Sequence, residues 1–375
     1  MNLKQEIGFI IRHPLTGCSF RNWIKLLVDN GGVNKKYILK VLYISLASCL
    51  GIPLRIIERV KFDENLEKLK IEESPIFILG HWRTGTTYIQ NLISQDPSLG
   101  YISTSLASAP EMFLANQKLW NFILNNSLPK VRPMDNVELS SLLPQEEEYA
   151  IGNISPYSFY HSWCFQKNMS KYFHNFVLFD KVSEETKLQW KNCYIKILKK
   201  ATLHMDKKRL IIKNPANTAR VKLLLEMFPT AKFIHIYRNP YIVYTSTKHL
   251  YEKLLPSFAL QEIPEKEINE NILKFYQQLM HKYFTDKSLI PKENLIEIKY
   301  EDFVGHELVQ LQKIYQHLNL PNFENAEENF QKYIDAHSNY ETNKYLFDEE
   351  TITKVYDAWK FTIDKWQYSP PQSSL

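Results

Sequence analysis

The stretch PIFILGHWRTGTTYIQNLI, Pro75 to Ile93, decides how the rest of the chain is read. A run of Ile, Phe and Leu ends at Gly80, a turn carries Arg83 towards Gly85, and a helical pattern starts at Thr86. A strand that runs through a glycine-bounded turn into a helix makes an anion cradle. Successive backbone N–H groups point into one concavity, and the helix N-terminus adds partial positive charge. Gly80 and Gly85 let the backbone come close, while Thr84, Thr86 and Thr87 offer hydroxyl donors.

Outward from this stretch, three more apolar runs end at breakers: LIIKNP (Leu210 to Pro215), AKFIHIYRNP (Ala231 to Pro240) and NLIEIKY (Asn294 to Tyr300). Short, nearly continuous Ile- and Phe-rich runs are the mark of strands buried on both faces of a parallel sheet. A helical pattern follows each strand, at Thr86–Ser94, Thr218–Phe228, Tyr241–Leu255 and His306–Leu318. The alternation predicts an α/β fold, a parallel sheet flanked by helices. Residues 100–205 read as helical with no comparable strand, which predicts a helical cap inserted over the sheet. The expected division is an N-terminal helical segment over 1–69, the α/β domain over 70–366, and a frayed tail over 367–375.

Composition narrows the function classes. The chain has 375 residues, 44% hydrophobic and 23% charged, which is ordinary for a globular protein with a large core. Forty-six Lys and Arg against 41 Asp and Glu leave +5, too mild and too evenly spread to predict nucleic-acid binding. Cys18, Cys49, Cys164 and Cys193 include no CxxC pair, so neither a disulfide framework nor a thiolate zinc site is expected, and a reducing, cytoplasmic setting fits. Gly8 to Ile11 is too short for the apolar core of a secretory leader. The most apolar stretch, the thirteen residues from Val41 to Pro53, falls short of the about 20 that cross a bilayer. It is read as a buried helix, with a helix lying in the membrane interface as the alternative, supported by flanking Lys35, Lys36, Arg55 and Arg59.

The cradle has the Gly-x4-Gly spacing of a phosphate-binding P-loop, yet Thr86 stands where such loops place a lysine for the β- and γ-phosphates. The cation is Arg83, inside the turn. Two strand exits add to it. Arg238 leaves the third strand at the end where open α/β sheets bind ligands, and Ser246 follows eight residues on, two helical turns into the next helix. A guanidinium fork and a hydroxyl there suit a second phosphate. Lys213 leaves the second strand at the same end.

GHWRTGTT together with IHIYRNPYIVYTS resembles the two signature regions of sulfotransferases that use 3′-phosphoadenosine-5′-phosphosulfate (PAPS). The likeness extends to a bacterial branch through IKNPANTARVKLLLEMF, PQEEEYA, YEDF and NKYLF…W…W, and so spans about residues 70–366. The resemblance implies a P-loop-like fold and sulfuryl transfer from PAPS to a hydroxyl or amine, with release of 3′,5′-ADP; no His/Cys/Asp cluster has metal-ligand spacing and DxDxDG is absent, so no metal is expected. It implies that Arg83, Thr84, Gly85, Thr86 and Thr87 hold the 5′-phosphosulfate and that Arg238 and Ser246 hold the 3′-phosphate. Arg83 takes the place where many members carry Lys, and Lys213 joins it in stabilising the leaving oxygen. The cytosolic branch places a histidine base two residues after the corresponding lysine, but position 215 here is Pro. A carboxylate base is therefore expected, at Glu146 and Glu148, with Asp135 to orient either that base or Arg132. The acceptor class stays open among small molecules, lipids and carbohydrates. Two other readings are a P-loop kinase or hydrolase, for which only Glu301 and Asp302 offer strand-end carboxylates for Mg²⁺, and a non-catalytic membrane-associated binding protein.

Overall fold

The structure is a computed structural model, and it describes residues 12–373 apart from 133, 136, 207 and 339–342. Gly8–Ile11 and the last two residues of the expected tail lie outside the described residues. In chain order the principal elements are α1 (Phe20–Asp29), α2 (Ile38–Leu50), α3 (Ile52–Lys68), β1 (Ile76–Leu79), α4 (Thr86–Ile93), β2 (Leu99–Gly100), α5 (Glu147–Ile154), α6 (Glu184–His204), β3 (Arg209–Lys213), α7 (Val221–Met227), β4 (Lys232–Tyr237), α8 (Pro240–Phe258), α9 (Glu265–Asp286), β5 (Leu295–Lys299), α10 (Glu307–His317) and α11 (Glu349–Trp366). The chain forms two compact units. The first contains Met1–Glu73, Gly100–Leu210 and Glu252–Ile263, and the second contains Ser74–Leu99, Ile211–Tyr251 and Pro264–Leu375.

The sheet has the order β2-β3-β1-β4-β5, and β1 pairs parallel with both β3 and β4, as β4 does with β5. All four β1 side chains are fully buried, each contributing roughly 1.5–3 kcal/mol of hydrophobic stabilisation. The register sets Ile78 beside Lys213, Leu79 beside His235 and Tyr237 beside Lys299. In-register parallel strands end together, so Gly80, Lys213, Arg238 and Tyr300 come to one edge of the sheet. The two tryptophans of α11 are structural: Trp359 stacks on Tyr276 of α9 with ring centroids 3.7 Å apart, and Trp366 stacks on Tyr237 at 4.6 Å. The helix expected over Thr218–Phe228 is split, a 3₁₀ turn over Pro215–Ala219 preceding α7, because Asn214 caps Ala216 and Pro215 opens the turn.

The expectation of a buried helix over Val41–Pro53 is corrected by the first unit. The helix ends at Leu50, and Pro53 belongs to the start of α3, which bends away by 41°. The side chains that α2 turns inward are Lys40, Ile44 and Ser48, and those of α3 include Arg55 and Glu58. Lys40 Nζ donates to the carbonyls of Pro256, Ser257 and Ala259, and Arg55 donates to those of Gly17, Cys18 and Ser48. Buried cations need such acceptors, and meeting that need leaves Leu42, Leu46 and Leu50 facing outward.

Three buried histidines set an acid limit on stability. In the first unit His13 Nδ1 accepts from the Leu15 N–H while Nε2 lies 2.9 Å from the Phe258 carbonyl, the pattern of a neutral ring. Burial lowers His13 to about 3 and His161 to about 4, and in the second unit it lowers His81 to about 4. The unfolded chain takes these protons near 6.5. Stability present at neutral pH is thus lost as pH falls below that value, by about 2 kcal/mol per histidine at pH 5. The melting temperature should fall clearly between pH 7 and pH 5; an unchanged value would show that these rings charge freely in the fold.

Candidate active site

The second unit builds the site from four strand ends. The turn after β1 has positive φ at Gly80 (146°), Arg83 (73°) and Gly85 (97°). A Cβ on Gly80 would lie 2.5 Å from the Ile236 carbonyl oxygen, and one on Gly85 would lie 2.4 Å from the Tyr300 ring. The cradle is closed so tightly by β4 and by Tyr300 that only glycine fits at either position. Thr218 fastens its base: the Gly80 N–H donates to the Thr218 hydroxyl at 2.8 Å, and that hydroxyl donates to the Gly80 carbonyl.

The threonines divide the work. Thr84 donates its hydroxyl to the His81 carbonyl at 2.8 Å and is buried, so it shapes the turn. Thr86 and Thr87 open α4, where backbone N–H groups lack helical partners. Lys213 is only 3% exposed, and its Nζ lies 3.3 Å from the Thr87 hydroxyl. It is a fixed cation at the cradle, not a solvated strand end.

Arg83 holds its left-handed backbone without the freedom of glycine, the kind of local strain that clusters at functional sites. Its Nε donates to the Ser246 hydroxyl at 2.9 Å, and the Tyr345 hydroxyl donates to the same oxygen at 3.0 Å. Arg238 Nη1 lies 3.4 Å from the Arg83 carbonyl, and its guanidinium sits 4.1 Å from the centre of the Tyr300 ring. Arg238 Nε is buried with no hydrogen-bond partner among the described residues. Burial lifts the Tyr300 hydroxyl above the ordinary tyrosine range, and Arg238 counters only part of this, so the ring is a neutral platform under the guanidinium. Two guanidiniums, an ammonium and the N-terminus of α4 thus surround one glycine-bounded turn. An anion with two separated charges suits this set.

Sequence reasoning missed Tyr300, Tyr345 and Thr218 as site residues. Each nevertheless lies in a stretch that carried the resemblance: YEDF, NKYLF and NPANTAR. His81 and His235 are both fully packed. His81 lies edge-on to Tyr276, and His235 stacks on Tyr283 with ring centroids 4.1 Å apart. Glu301, expected as a Mg²⁺ ligand under the kinase reading, accepts from the Asn239 N–H and the Tyr368 hydroxyl.

The candidate bases lie in the first unit. Glu146 is the N-cap of α5 and accepts from the Tyr160 hydroxyl. Glu147 accepts from Tyr194, and Glu148, fully buried, accepts from the Phe159 N–H at 2.7 Å. The three consecutive carboxylates therefore face three different partners. Arg132 makes a two-point ion pair with Asp135 at 2.9 and 2.6 Å. Phe159, Tyr160 and Trp163 are buried, with Tyr160 stacked on Trp163 at 4.0 Å.

The model of the sulfotransferase family matches residues 75–325, from the start of β1 to beyond α10. The chain belongs to the sulfotransferase family. Two relatives, the omega-hydroxy-beta-dihydromenaquinone-9 sulfotransferases Stf3 of Mycobacterium bovis and Mycobacterium tuberculosis, are each 31% identical to this sulfotransferase. The match runs over 368 residues, 94% of this chain and 90% of theirs. Among solved structures, sulfotransferase STF9 from Mycobacterium avium superposes with a TM-score of 0.70 at 15% identity, covering 94% of this chain and 92% of that one. STF1 from Mycobacterium tuberculosis gives 0.66 at 15% identity, covering 91% of each. These likenesses establish the P-loop-like α/β fold.

Proposed function

We propose that this sulfotransferase moves the sulfuryl group of PAPS to a hydroxyl of an apolar, lipid-like acceptor and releases 3′,5′-ADP. The reading rests on two guanidiniums gathered at one glycine-bounded turn, one of them with a buried Nε that has no partner among the described residues. A ligand with phosphate at both ends of a nucleoside satisfies that donor set. The backbone of Arg83, Thr84 and Gly85 and the hydroxyls of Thr86 and Thr87 hold the 5′ end. Arg238 and Ser246 hold the 3′-phosphate, with Tyr300 fixing the plane of Arg238. PAPS supplies the activated sulfuryl group and a phosphate leaving group. Arg83 and Lys213 neutralise the charge that grows on the departing oxygen, since transfers of this loose kind depend on positioning and cationic stabilisation. The acceptor proton goes to a carboxylate. Glu146 is the better candidate, because it keeps 9% exposure and is bonded by a hydroxyl, whereas Glu148 is fully buried against a backbone N–H. The apolar acceptor is supported by the relatives named for an omega-hydroxylated dihydromenaquinone.

The test has two arms. Adding 3′,5′-ADP should raise the melting temperature at concentrations where ATP with Mg²⁺ does not. Labelled PAPS should then transfer its label to an isoprenoid alcohol in preference to a sugar. Arg238→Ala should raise KM for PAPS at least about tenfold and leave KM for the acceptor nearly unchanged, as expected for a lost charge-assisted bond. An equal effect on both substrates would remove Arg238 from the 3′-phosphate.

A further inference from the structure

We infer that the outward face of α2 and α3 docks on the surface of an anionic lipid bilayer. The two helices are amphipathic in the inverted sense. Their inward faces carry Lys40, Ser48, Arg55 and Glu58, all buried, whereas Leu39, Leu42, Leu46, Leu50, Ile56 and Val60 are each between 55% and 80% exposed. The leucines recur at three- and four-residue intervals along α2, so they form one stripe. An isolated exposed leucine is ordinary, but a stripe continued onto a second helix, opposite a polar buried face, marks a surface that meets an apolar partner.

Charge selects the partner. From Phe20 to Lys61 the exposed charges are six Lys and Arg against the single Asp29, a net +5. Arg21, Lys25, Lys35, Lys36, Arg59 and Lys61 are exposed around the stripe. Lys25, Lys36 and Arg59 lie in exposed ion pairs with Asp29, Glu262 and Asp63, which are weak enough to exchange for lipid phosphate. A second copy of the chain would bring one cationic face against another, so self-association is disfavoured by the same charges. Spanning is disfavoured as well. Among the described residues no single helix is long and apolar enough to cross a membrane; α2 and α3 reach that length only as a pair bent by 41°, and α2 alone, at 13 residues, rises about 20 Å against a hydrocarbon core of about 30 Å. Arg59, Lys61, Asp63 and Glu64 would put charge into that core if α3 continued the path. A helix pair lying in the interface, leucines down and lysines at the headgroups, satisfies both features. The inference does not rest on the PAPS reading, although docking would give a lipid-acceptor enzyme access to its substrate.

The test is flotation of the full chain with vesicles of phosphatidylcholine alone and of phosphatidylcholine mixed with phosphatidylglycerol. The protein should float with the mixed vesicles, less with phosphatidylcholine, and less again as salt is raised. Leu42→Ser/Leu46→Ser/Ile56→Ser changes only exposed side chains, so the melting temperature and its response to 3′,5′-ADP should hold while vesicle affinity drops about a hundredfold. If that response is absent from the parent chain too, the nucleotide reading fails and this one stands on flotation alone. A protein that never floats, or a variant that floats as well as the parent, overturns the inference. Equal binding to both vesicles overturns the assignment to anionic lipid. A dimer that the three substitutions dissolve, without vesicle binding, would show that a second copy covers the face.

Discussion

Arg83→Ala should lower sulfuryl transfer by about a thousandfold, equivalent to about 4 kcal/mol of transition-state stabilisation. The side chain stands inside the cradle on a left-handed backbone, and its Nε is held by the Ser246 hydroxyl, itself bonded by Tyr345. A guanidinium anchored in this way is oriented before any ligand arrives, so its charge acts without reorganisation when the leaving oxygen becomes anionic. Affinity for 3′,5′-ADP should fall much less than turnover, because the cradle amides and Arg238 remain. Arg83→Lys should keep more activity than Ala, but not all of it, since an ammonium cannot donate to Ser246 and the ligand in one plane. Release of 3′,5′-ADP under saturating substrates decides the matter: an alanine variant that keeps most of its turnover removes Arg83 from the chemistry.

The second large effect is on stability. In the first unit Lys200 of α6 pairs with Glu58 of α3, at 3% and 2% exposure, and Lys200 also donates to the Pro110 carbonyl. Lys200→Met keeps the volume and removes the charge, which leaves Glu58 buried without its counter-ion. A loss of about 3–5 kcal/mol is expected. Burial already pushes the Glu58 carboxyl up, against the pull of Lys200. Without the lysine it rises further, so the folded state holds a proton that the unfolded state releases. The deficit should therefore be larger at pH 8 than at pH 5. Glu58→Gln added to Lys200→Met should recover much of the loss. Thermal melting at both pH values checks this, and a single variant within about 1 kcal/mol of the parent would show that water reaches the pair.

The strands and the cradle were legible because their signals are local. Continuous Ile and Phe between breakers marks a buried strand wherever the sheet places it, and a strand followed by Gly80-x4-Gly85 has few other uses. Lys213 and Arg238 followed from the same logic, as charged residues where an apolar run stops. The orientation of the Val41–Pro53 region was not legible. Average hydrophobicity argued for burial, but Lys40 and Arg55 find backbone carbonyls on one side only, and that side lies inward. The roles of Tyr300 and Tyr345 were not legible, since nothing nearby in the chain says that one closes over Gly85 and the other reaches Ser246.

The chain's own pattern settled the alternation of strand and helix, the glycine-bounded turn and the family to which both belong, because backbone geometry and side-chain period are properties of neighbouring residues. The fold alone decided that Arg83 meets a serine 163 residues away, that Arg238 lies over a tyrosine ring, and that three adjacent glutamates turn to three partners. Those pairings depend on strand order and register in the sheet and on how helices pack. Both are fixed by burying the whole core at once.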